Sequence, residues 1–247
     1  MTLLSVRGAT KRFGAVVGLD DVDLDVRGGE VLALLGDNGA GKSTLIKCLS
    51  GALRLDRGTI EMDGRRVTVN SPADAQALGI ETVYQDLALF DNLKPADNFY
   101  AGRERATPTW LPRSIRILKR REMTEVTRRT LDRLQVVLDD HGTVGLMSGG
   151  QRQAVAVARA AAFASRVVIL DEPTAALGVR ESRRVLDLIL RLREEGKAVV
   201  VVSHAMDHVM EVADRAVIMR RGTKVGEVIP SAETHAQIVS LIVGGGG

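Results

Sequence analysis

The sequence GDNGAGKST, residues 36–44, follows the apolar run VLALL and precedes the run LIKCL, so a glycine-rich turn separates a predicted strand from a predicted helix. Glycines let backbone N–H groups approach phosphate oxygens closely, and the helix adds the positive end of its dipole. In this pattern, a P-loop, Lys42 reaches the β- and γ-phosphates of a nucleotide and Ser43 ligates Mg²⁺. The phosphate-binding residues predicted from the P-loop are Gly36, Asn38, Gly39, Ala40, Gly41, Lys42, Ser43 and Thr44.

The bulk composition is that of a folded protein with a mixed surface. The chain has 247 residues, of which 45% are hydrophobic, enough for one large domain or for a core with a subdomain. The formal net charge is only +3 with both signs abundant, which does not by itself indicate nucleic-acid binding. Cys48 is the only cysteine, so no internal disulfide is possible, as is typical of a reducing compartment.

The N-terminal residues become polar before a signal-peptide core could form, and no apolar stretch approaches the length needed to cross a bilayer. We therefore expect a cytoplasmic protein that reaches a membrane only through a partner.

The order of predicted strands and helices favours an α/β fold with a mainly parallel sheet. Short strands dominate the first third of the chain, and another is predicted at 80–84. Fully apolar strands return at 167–170 and 198–202 on either side of a helix at 180–195, and such alternation implies parallel pairing.

The segment 97–164 has a different pattern, with arginine-rich amphipathic runs and no convincing strand. It predicts a helical subdomain inserted into the core. The expected division of the single domain 1–247 is a nucleotide-binding core of 1–96 and 165–247 and a helical subdomain of 97–164.

An acidic pair, Asp171-Glu172, ends the predicted strand at 167–170. Hydrolysis of a nucleotide with Mg²⁺ needs a carboxylate near the metal and a group that activates water, both at the carboxyl edge of the sheet. Asp171 is predicted to hold Mg²⁺ through water, and Glu172 is the candidate general base. Without the P-loop, solvated acids at a strand end would be the simpler interpretation.

A family resemblance follows from the run MSGGQRQ, residues 147–153, which closely resembles the signature loop of ATP-binding cassette (ABC) ATPases. The usual first residue there is leucine, and Met147 is a mild apolar departure. Phe13 matches the aromatic residue that stacks on adenine, Gln85 matches the glutamine loop, and His204 matches the switch histidine. These motifs occur in the family's order over essentially the entire chain.

The resemblance implies an ABC nucleotide-binding domain: a P-loop core, an N-terminal antiparallel β subdomain and a helical subdomain. It implies ATP and Mg²⁺ as ligands, Gln85 as a metal and catalytic residue, and His204, Glu172 and Lys42 as further catalytic residues. Ser148, Gly149, Gly150 and Gln151 would bind the γ-phosphate at a helix N-terminus. In the family they do so across a head-to-tail dimer, in which the signature loop of one copy closes over the nucleotide of the other.

One position departs from the family pattern. The loop after the acidic pair usually carries an aspartate that reaches across the dimer, but this chain has Ala175-Ala176-Leu177-Gly178. Glycine cannot supply that carboxylate. We expect an active ATPase nevertheless, because the other motif residues are present.

The acidic-pair and signature runs look most like the ribose, xylose and fructose group of monosaccharide importers. A single cassette resembles the separate ATPase subunit of a bacterial importer and, within this group, the fructose-type branch. That resemblance implies an integral membrane permease, docked near residues 85–90, and indirectly a periplasmic or extracellular sugar-binding protein. The subunit would be peripheral on the inner face of the membrane. The alternative is an ABC ATPase without a permease in a regulatory or nucleic-acid-associated complex.

A basic run in the predicted helical subdomain raises the question of nucleic acid or lipid binding. Acidic residues are interleaved with it at helical spacing and no aromatic ladder accompanies it, so a solvated helix face is expected and no nucleic acid. The run comprises Arg113, Arg116, Lys119, Arg120, Arg121, Arg128, Arg129 and Arg133.

Overall fold

The computed structural model describes residues 2–108, 110, 112, 117–138, 142–175 and 177–244. Arg113 and Arg116 of the basic run and Ala176 lie outside the described residues. The strands are β1 (Thr2–Phe13), β2 (Val16–Arg27), β3 (Val31–Leu35), β4 (Arg57–Met62), β5 (Arg65–Val67), β6 (Ile80–Val83), β7 (Ala106–Thr107), β8 (Ile117–Leu118), β9 (Val167–Asp171), β10 (Ala198–Val202), β11 (Arg215–Arg220) and β12 (Thr223–Val228). The helices are α1 (Lys42–Leu49), α2 (Pro72–Ala77), α3 (Pro95–Phe99), α4 (Arg120–Arg133), α5 (Gly149–Phe163), α6 (Val179–Glu194), α7 (Met206–Val212) and α8 (His235–Val243).

The central sheet has the strand order β12-β11-β3-β10-β9-β6. All neighbours are parallel except β11 and β12, which form an antiparallel edge. The two strands β3 and β10 are buried at every position, as expected for apolar strands covered on both faces. This arrangement confirms the predicted mainly parallel α/β core.

A second sheet, with order β2-β1-β4-β5, is antiparallel throughout and is formed by the first part of the chain. Its inner face and α1 share one apolar cluster with the central sheet. Cys48 lies in this cluster, where burial raises the pKa of its thiol to about 11. The thiol is therefore protonated at neutral pH, consistent with a packing role.

Between β6 and β9 the described elements are mainly helical, with one exception. The strands β7 and β8 form a short antiparallel ladder, in which Ala106 pairs with Leu118 and Thr107 with Ile117. The expectation of no strand in 97–164 was therefore wrong, because a ladder of two residue pairs is too short to leave a period-two pattern.

The arginines of α4 lie on a solvated face. Glu125 pairs with Arg128 at 3.2 Å and with Arg129 at 2.9 Å, and Glu122 pairs with Arg105 and Lys119. These exposed pairs neutralise much of the local positive charge. Among the described residues, no helix is both long and apolar enough to span a bilayer.

Candidate nucleotide-binding site

The parallel strands direct four loops to one edge of the central sheet. The P-loop follows β3, His204 follows β10, Glu172 follows β9 and Gln85 follows β6, and these strands are neighbours in the order β3-β10-β9-β6. The loops border a cavity of about 310 Å³. The cavity is lined by Phe13, Val16, Val17, Gly18, Asn38, Gly39, Ala40, Gly41, Lys42, Ser43, Thr44, Gln85, Asp171, Glu172, Val202 and His204.

The backbone of the P-loop is held so closely that two of its positions require glycine. Gly36 has φ +145°, and a Cβ atom there would lie 2.2 Å from the carbonyl oxygen of Met219 in β11. Gly41 has φ +101°, and its Cβ would lie 2.6 Å from the carbonyl oxygen of Gly18. Side chains rarely adopt these backbone angles, so both contacts explain the glycine pattern in the sequence.

The N-terminus of α1 points into this cavity through Gly41, Lys42, Ser43 and Thr44, which line it. No side chain of the described residues caps the helix, and its first turn contains no acidic residue. The first N–H groups of a helix need an acceptor, and the dipole favours an anion there. A phosphate group meets both requirements.

Lys42 is buried beside the P-loop backbone. Its Nζ donates hydrogen bonds to the carbonyl oxygens of Gly36, at 2.6 Å, and Asp37, at 3.0 Å. Burial lowers the pKa of the Lys42 ammonium, and the nearby carboxylates of Glu172 and Asp171 act in the opposite direction. A further anion in the cavity would favour the charged form in the same way.

The acidic pair lines the cavity at the end of β9. Burial raises the pKa of both Asp171 and Glu172, while Lys42 and His204 favour their ionised forms. Asp171, Ser43 and Gln85 bring carboxylate, hydroxyl and amide oxygens to the same cavity, and oxygen ligands of this kind suit Mg²⁺. The donor set therefore fits a magnesium ion that is also bound by phosphates.

Glu172 combines a strained backbone with a largely buried carboxylate. Its φ is +53°, a left-handed conformation that is uncommon for a residue with a side chain, and its N–H donates to the carbonyl of Val202 at 3.0 Å. Its Oε1 has no hydrogen-bond partner among the described residues, although His204 Nε2 lies 3.1 Å away. Burial raises the basicity of this carboxylate, which suits it to accept a proton from a water molecule.

His204 lies beside Glu172 and lines the same cavity, and its side chain is 49% exposed. The preceding Ser203 is buried and accepts a hydrogen bond from the N–H of Ala205 at 3.0 Å, which fixes the turn after β10. The imidazole is thus presented by a rigid turn.

The opposite wall of the cavity comes from the antiparallel sheet. Phe13 is 45% exposed at the end of β1, and a Cβ on Gly18 would lie 2.8 Å from its ring. Val16 and Val17 extend this apolar surface. The sequence motifs pointed to Phe13 alone, and the turn at Gly14 is the signal that could have indicated its strand partners.

Gln85 is exposed at the cavity rim and begins the glutamine loop, residues 85–90. Two later residues of this loop, Leu87 and Ala88, have φ of +59° and +45°. Their carbonyl oxygens accept hydrogen bonds from Arg159 of α5 at 2.9 and 2.8 Å. Arg159 was not predicted from the sequence, and its signal there is a single charge among the small and apolar residues 154–163.

The signature residues 148–151 form the N-terminus of α5, but they lie outside this cavity. Ser148 caps the helix by accepting from the N–H of Gln151 at 3.3 Å, and Gln151 Oε1 accepts from the N–H of Ser148 at 3.0 Å. Gly149 and Gly150 lie in the first turn. A single copy of the chain therefore does not bring the two helix N-termini together.

Comparison with known proteins agrees with this geometry. Residues 19–175 match the family model described as ABC transporter. The chain is 48% identical over 98% of its length to a fructose import ATP-binding protein of Rhizobium meliloti, of which it covers 94%. It is also 47% identical over 89% of its length to a xylose/arabinose import ATP-binding protein of Sulfolobus acidocaldarius, of which it covers 85%.

The fold is also similar to a solved structure. An ATP-binding cassette of an ABC transporter, crystallised in its ADP conformation, superposes with a TM-score of 0.81 at 25% sequence identity, and the match covers 99% of both chains.

Proposed function

The chain belongs to the ABC transporter family, and we propose that it is the ATP-binding and ATP-hydrolysing subunit of an importer for a monosaccharide. The observation that carries the proposal is the meeting of the P-loop, the acidic pair, Gln85 and His204 around one cavity at the carboxyl edge of the sheet. The names of the similar import proteins supply the substrate class, a sugar such as fructose, xylose or arabinose.

The cavity can bind ATP with the adenine on Phe13 and the phosphates on the P-loop. The N–H groups of α1 and the ammonium of Lys42 would stabilise the phosphate charge. Asp171, Ser43 and Gln85 would hold Mg²⁺, which neutralises charge on the β- and γ-phosphates when bound.

Hydrolysis would begin with a water molecule beside Glu172. The Glu172 carboxylate accepts a proton as the water oxygen attacks the γ-phosphorus, and the bond to the β,γ-bridging oxygen breaks, which leaves ADP and inorganic phosphate. His204 would hold the water or the γ-phosphate in line. The raised pKa of Glu172 makes it a stronger base than an exposed glutamate.

The second half of the site would come from a second copy of the chain. Residues 148–151 present a helix N-terminus that the cavity of the same chain does not use, and they suit the γ-phosphate of a neighbouring nucleotide. A head-to-tail dimer with two-fold symmetry would place one signature loop over each P-loop. ATP binding would then favour the closed dimer, and hydrolysis would allow it to open.

The remaining parts of the proposal concern partners and organisation. An integral permease would dock near the glutamine loop and carry the subunit to the inner face of the membrane, and a sugar-binding protein would deliver the sugar to that permease. Nucleic acid is not an expected partner. We further propose that 1–96 and 165–247 act as the nucleotide-binding core and 97–164 as the helical subdomain.

ATP turnover by the purified chain tests the proposal. We expect Mg²⁺-dependent phosphate release that Glu172→Gln abolishes while binding of a fluorescent ATP analogue is retained. Wild-type protein that binds but does not hydrolyse ATP, alone or together with its permease, would contradict the proposed function.

A further inference from the structure

The glutamine loop is held in an unusual backbone conformation by a residue of another element. Leu87 and Ala88 both have positive φ, and neither is glycine. Such conformations persist only where surrounding contacts enforce them. Local bonds from Leu87 N–H to the Tyr84 carbonyl, at 2.9 Å, and from Ala88 N–H to the Asp86 carbonyl, at 2.8 Å, close the turn.

Arg159 supplies the contact from outside the loop. Its two terminal nitrogens donate hydrogen bonds to the carbonyl oxygens of Leu87 and Ala88. One planar guanidinium therefore binds both carbonyls of the two residues with positive φ. Burial lowers the pKa of Arg159, and Glu81 opposes this. Removing the guanidinium would leave two carbonyls without these bonds.

Arg159 donates its hydrogen bonds to the glutamine loop rather than to a carboxylate. Glu81 of β6, whose charge raises the pKa of Arg159, already accepts hydrogen bonds from the two terminal nitrogens of Arg103, at 2.7 and 2.9 Å. Arg103 in turn stacks on Phe163 of α5, with 4.7 Å between its guanidinium carbon and the ring centroid. Arg159 is therefore left to the main-chain carbonyls.

The helix that carries Arg159 also carries the signature loop at its start. Arg159 lies eleven residues after Ser148 on α5, which corresponds to about 16 Å of continuous helix. The side chains of Leu87 and Leu89 pack against the same apolar cluster as α5. Asp91, which directly follows the glutamine loop, pairs with Arg152 near the start of α5 at 2.9 Å and accepts a hydrogen bond from the N–H of Gly145 at 2.8 Å. The segment is thus attached to both ends of α5, and Arg159 makes the attachment at the end remote from the signature loop.

We propose that Arg159 is a positioning residue that couples the glutamine loop to the signature loop. When Gln85 engages the nucleotide of its own chain, the displacement of residues 87 and 88 would move α5, and with it the signature loop that closes on the partner's nucleotide. The proposal rests on the function proposed above and assigns the internal link between its two half-sites.

The test uses Arg159→Met, with Lys197→Met as a matched control. Lys197 is also a cation whose pKa is lowered by burial, and it donates to a carbonyl of the same helix, that of Ala161, at 2.6 Å. Its contact does not involve the glutamine loop. Both substitutions remove a cation–carbonyl bond on α5, so a loss of stability alone would affect both.

Hydrogen exchange at saturating Mg²⁺-ATP, in a Glu172→Gln background, provides the readout. We expect ATP to slow exchange in both 85–90 and 148–152 in the parent and in Lys197→Met. In Arg159→Met we expect slowing in 85–90 only, an ATP analogue Kd within about twofold of the parent, and, with Glu172 restored, a turnover loss of at least about tenfold. Arg159→Lys should recover part of that turnover.

The outcomes separate the two proposals. Arg159→Met with coupled protection and parental turnover, or equal defects in Arg159→Met and Lys197→Met, would overturn the role of Arg159 and leave the ATPase proposal intact. Absence of ATP hydrolysis by the wild-type protein would instead overturn the proposed function.

Discussion

The P-loop at the start of α1 and the signature loop at the start of α5 are both glycine-containing helix N-termini, yet their surroundings differ. The P-loop is enclosed by β11 and β2, and its cavity contains a base, an imidazole and oxygen ligands. The signature loop is exposed and caps itself through Ser148 and Gln151. Under the proposed function, the P-loop site contains its own phosphate-binding and reacting groups, whereas the signature loop would act only on the nucleotide of a second copy.

The glycines of the two loops also serve different purposes. Gly36 is needed because its backbone angle and the nearby Met219 carbonyl exclude a side chain. Gly149 has no such constraint, since a Cβ there would meet only Leu177 at an ordinary 3.5 Å. We infer that the first glycine is required for folding of the loop and the second for access by a partner's ligand.

The largest effect on turnover is expected for a substitution in the cavity that contains the P-loop. Glu172→Gln should lower kcat by about 10²–10⁴-fold, because the general base is lost while the P-loop contacts remain. Phosphate release in single turnovers measures this change, and Glu233→Gln provides a control at an exposed carboxylate that does not line the cavity. Turnover within tenfold of the wild type would remove Glu172 from the role of base.

A substitution in the enclosed loop tests the structural role of its glycine. Gly36→Ala should lower the free energy of unfolding by about 2–3 kcal/mol, because the added Cβ must displace backbone and the φ angle becomes strained. Urea denaturation gives the change, and ATP-analogue binding should weaken with it. Unchanged stability would show that the P-loop backbone is less constrained than the Met219 contact indicates.

The matching substitution in the exposed signature loop should change turnover and leave stability nearly unchanged. Gly149→Ala is expected to leave unfolding within about 1 kcal/mol, with a gain favoured because alanine suits a helix better than glycine. Turnover should nevertheless fall by about tenfold, since a methyl group would obstruct approach of the partner's nucleotide. Full activity in this variant would argue against a γ-phosphate at this helix.

The smallest effect concerns stability as a function of pH. The folded-state pKa of Glu172 is raised mainly by burial, so ionisation disfavours the folded protein above that pKa. Glu172→Gln should therefore raise the melting temperature at pH 7, where the wild-type carboxylate is ionised at a cost to the folded state. The gain should disappear as the pH falls through the raised pKa towards the ordinary value of 4.5. A gain that persists in acid would have another origin.

Much of the fold could be predicted because its core strands carry a strong local pattern. The apolar runs 31–35 and 198–202 match β3 and β10 residue for residue, since strands buried on both faces have almost no polar positions. The helix α7 was not predicted, because its seven residues are too few to show a helical period. Strands β1 and β2 have twelve residues each and are longer than the short strands predicted for the first third of the chain, since their polar outer positions hide the ends.

The candidate site was predictable only where one motif carries the chemistry. The P-loop and the acidic pair lie at strand ends, so topology alone brings them together. The wall at residues 16–18 and the bonds from Arg159 depend on packing between distant segments. Pairing of this kind leaves only weak signals in a single sequence, such as the turn at Gly14.

The most direct test of the split site is the molar mass of the Glu172→Gln variant in solution, measured by light scattering with and without Mg²⁺-ATP. We expect a 26.6 kDa monomer without nucleotide and a dimer of twice that mass with Mg²⁺-ATP. We also expect that adding Ser148→Arg abolishes dimer formation without weakening nucleotide binding to the monomer. A Glu172→Gln protein that stays monomeric at saturating Mg²⁺-ATP, or a dimer indifferent to Ser148→Arg, would contradict the split site.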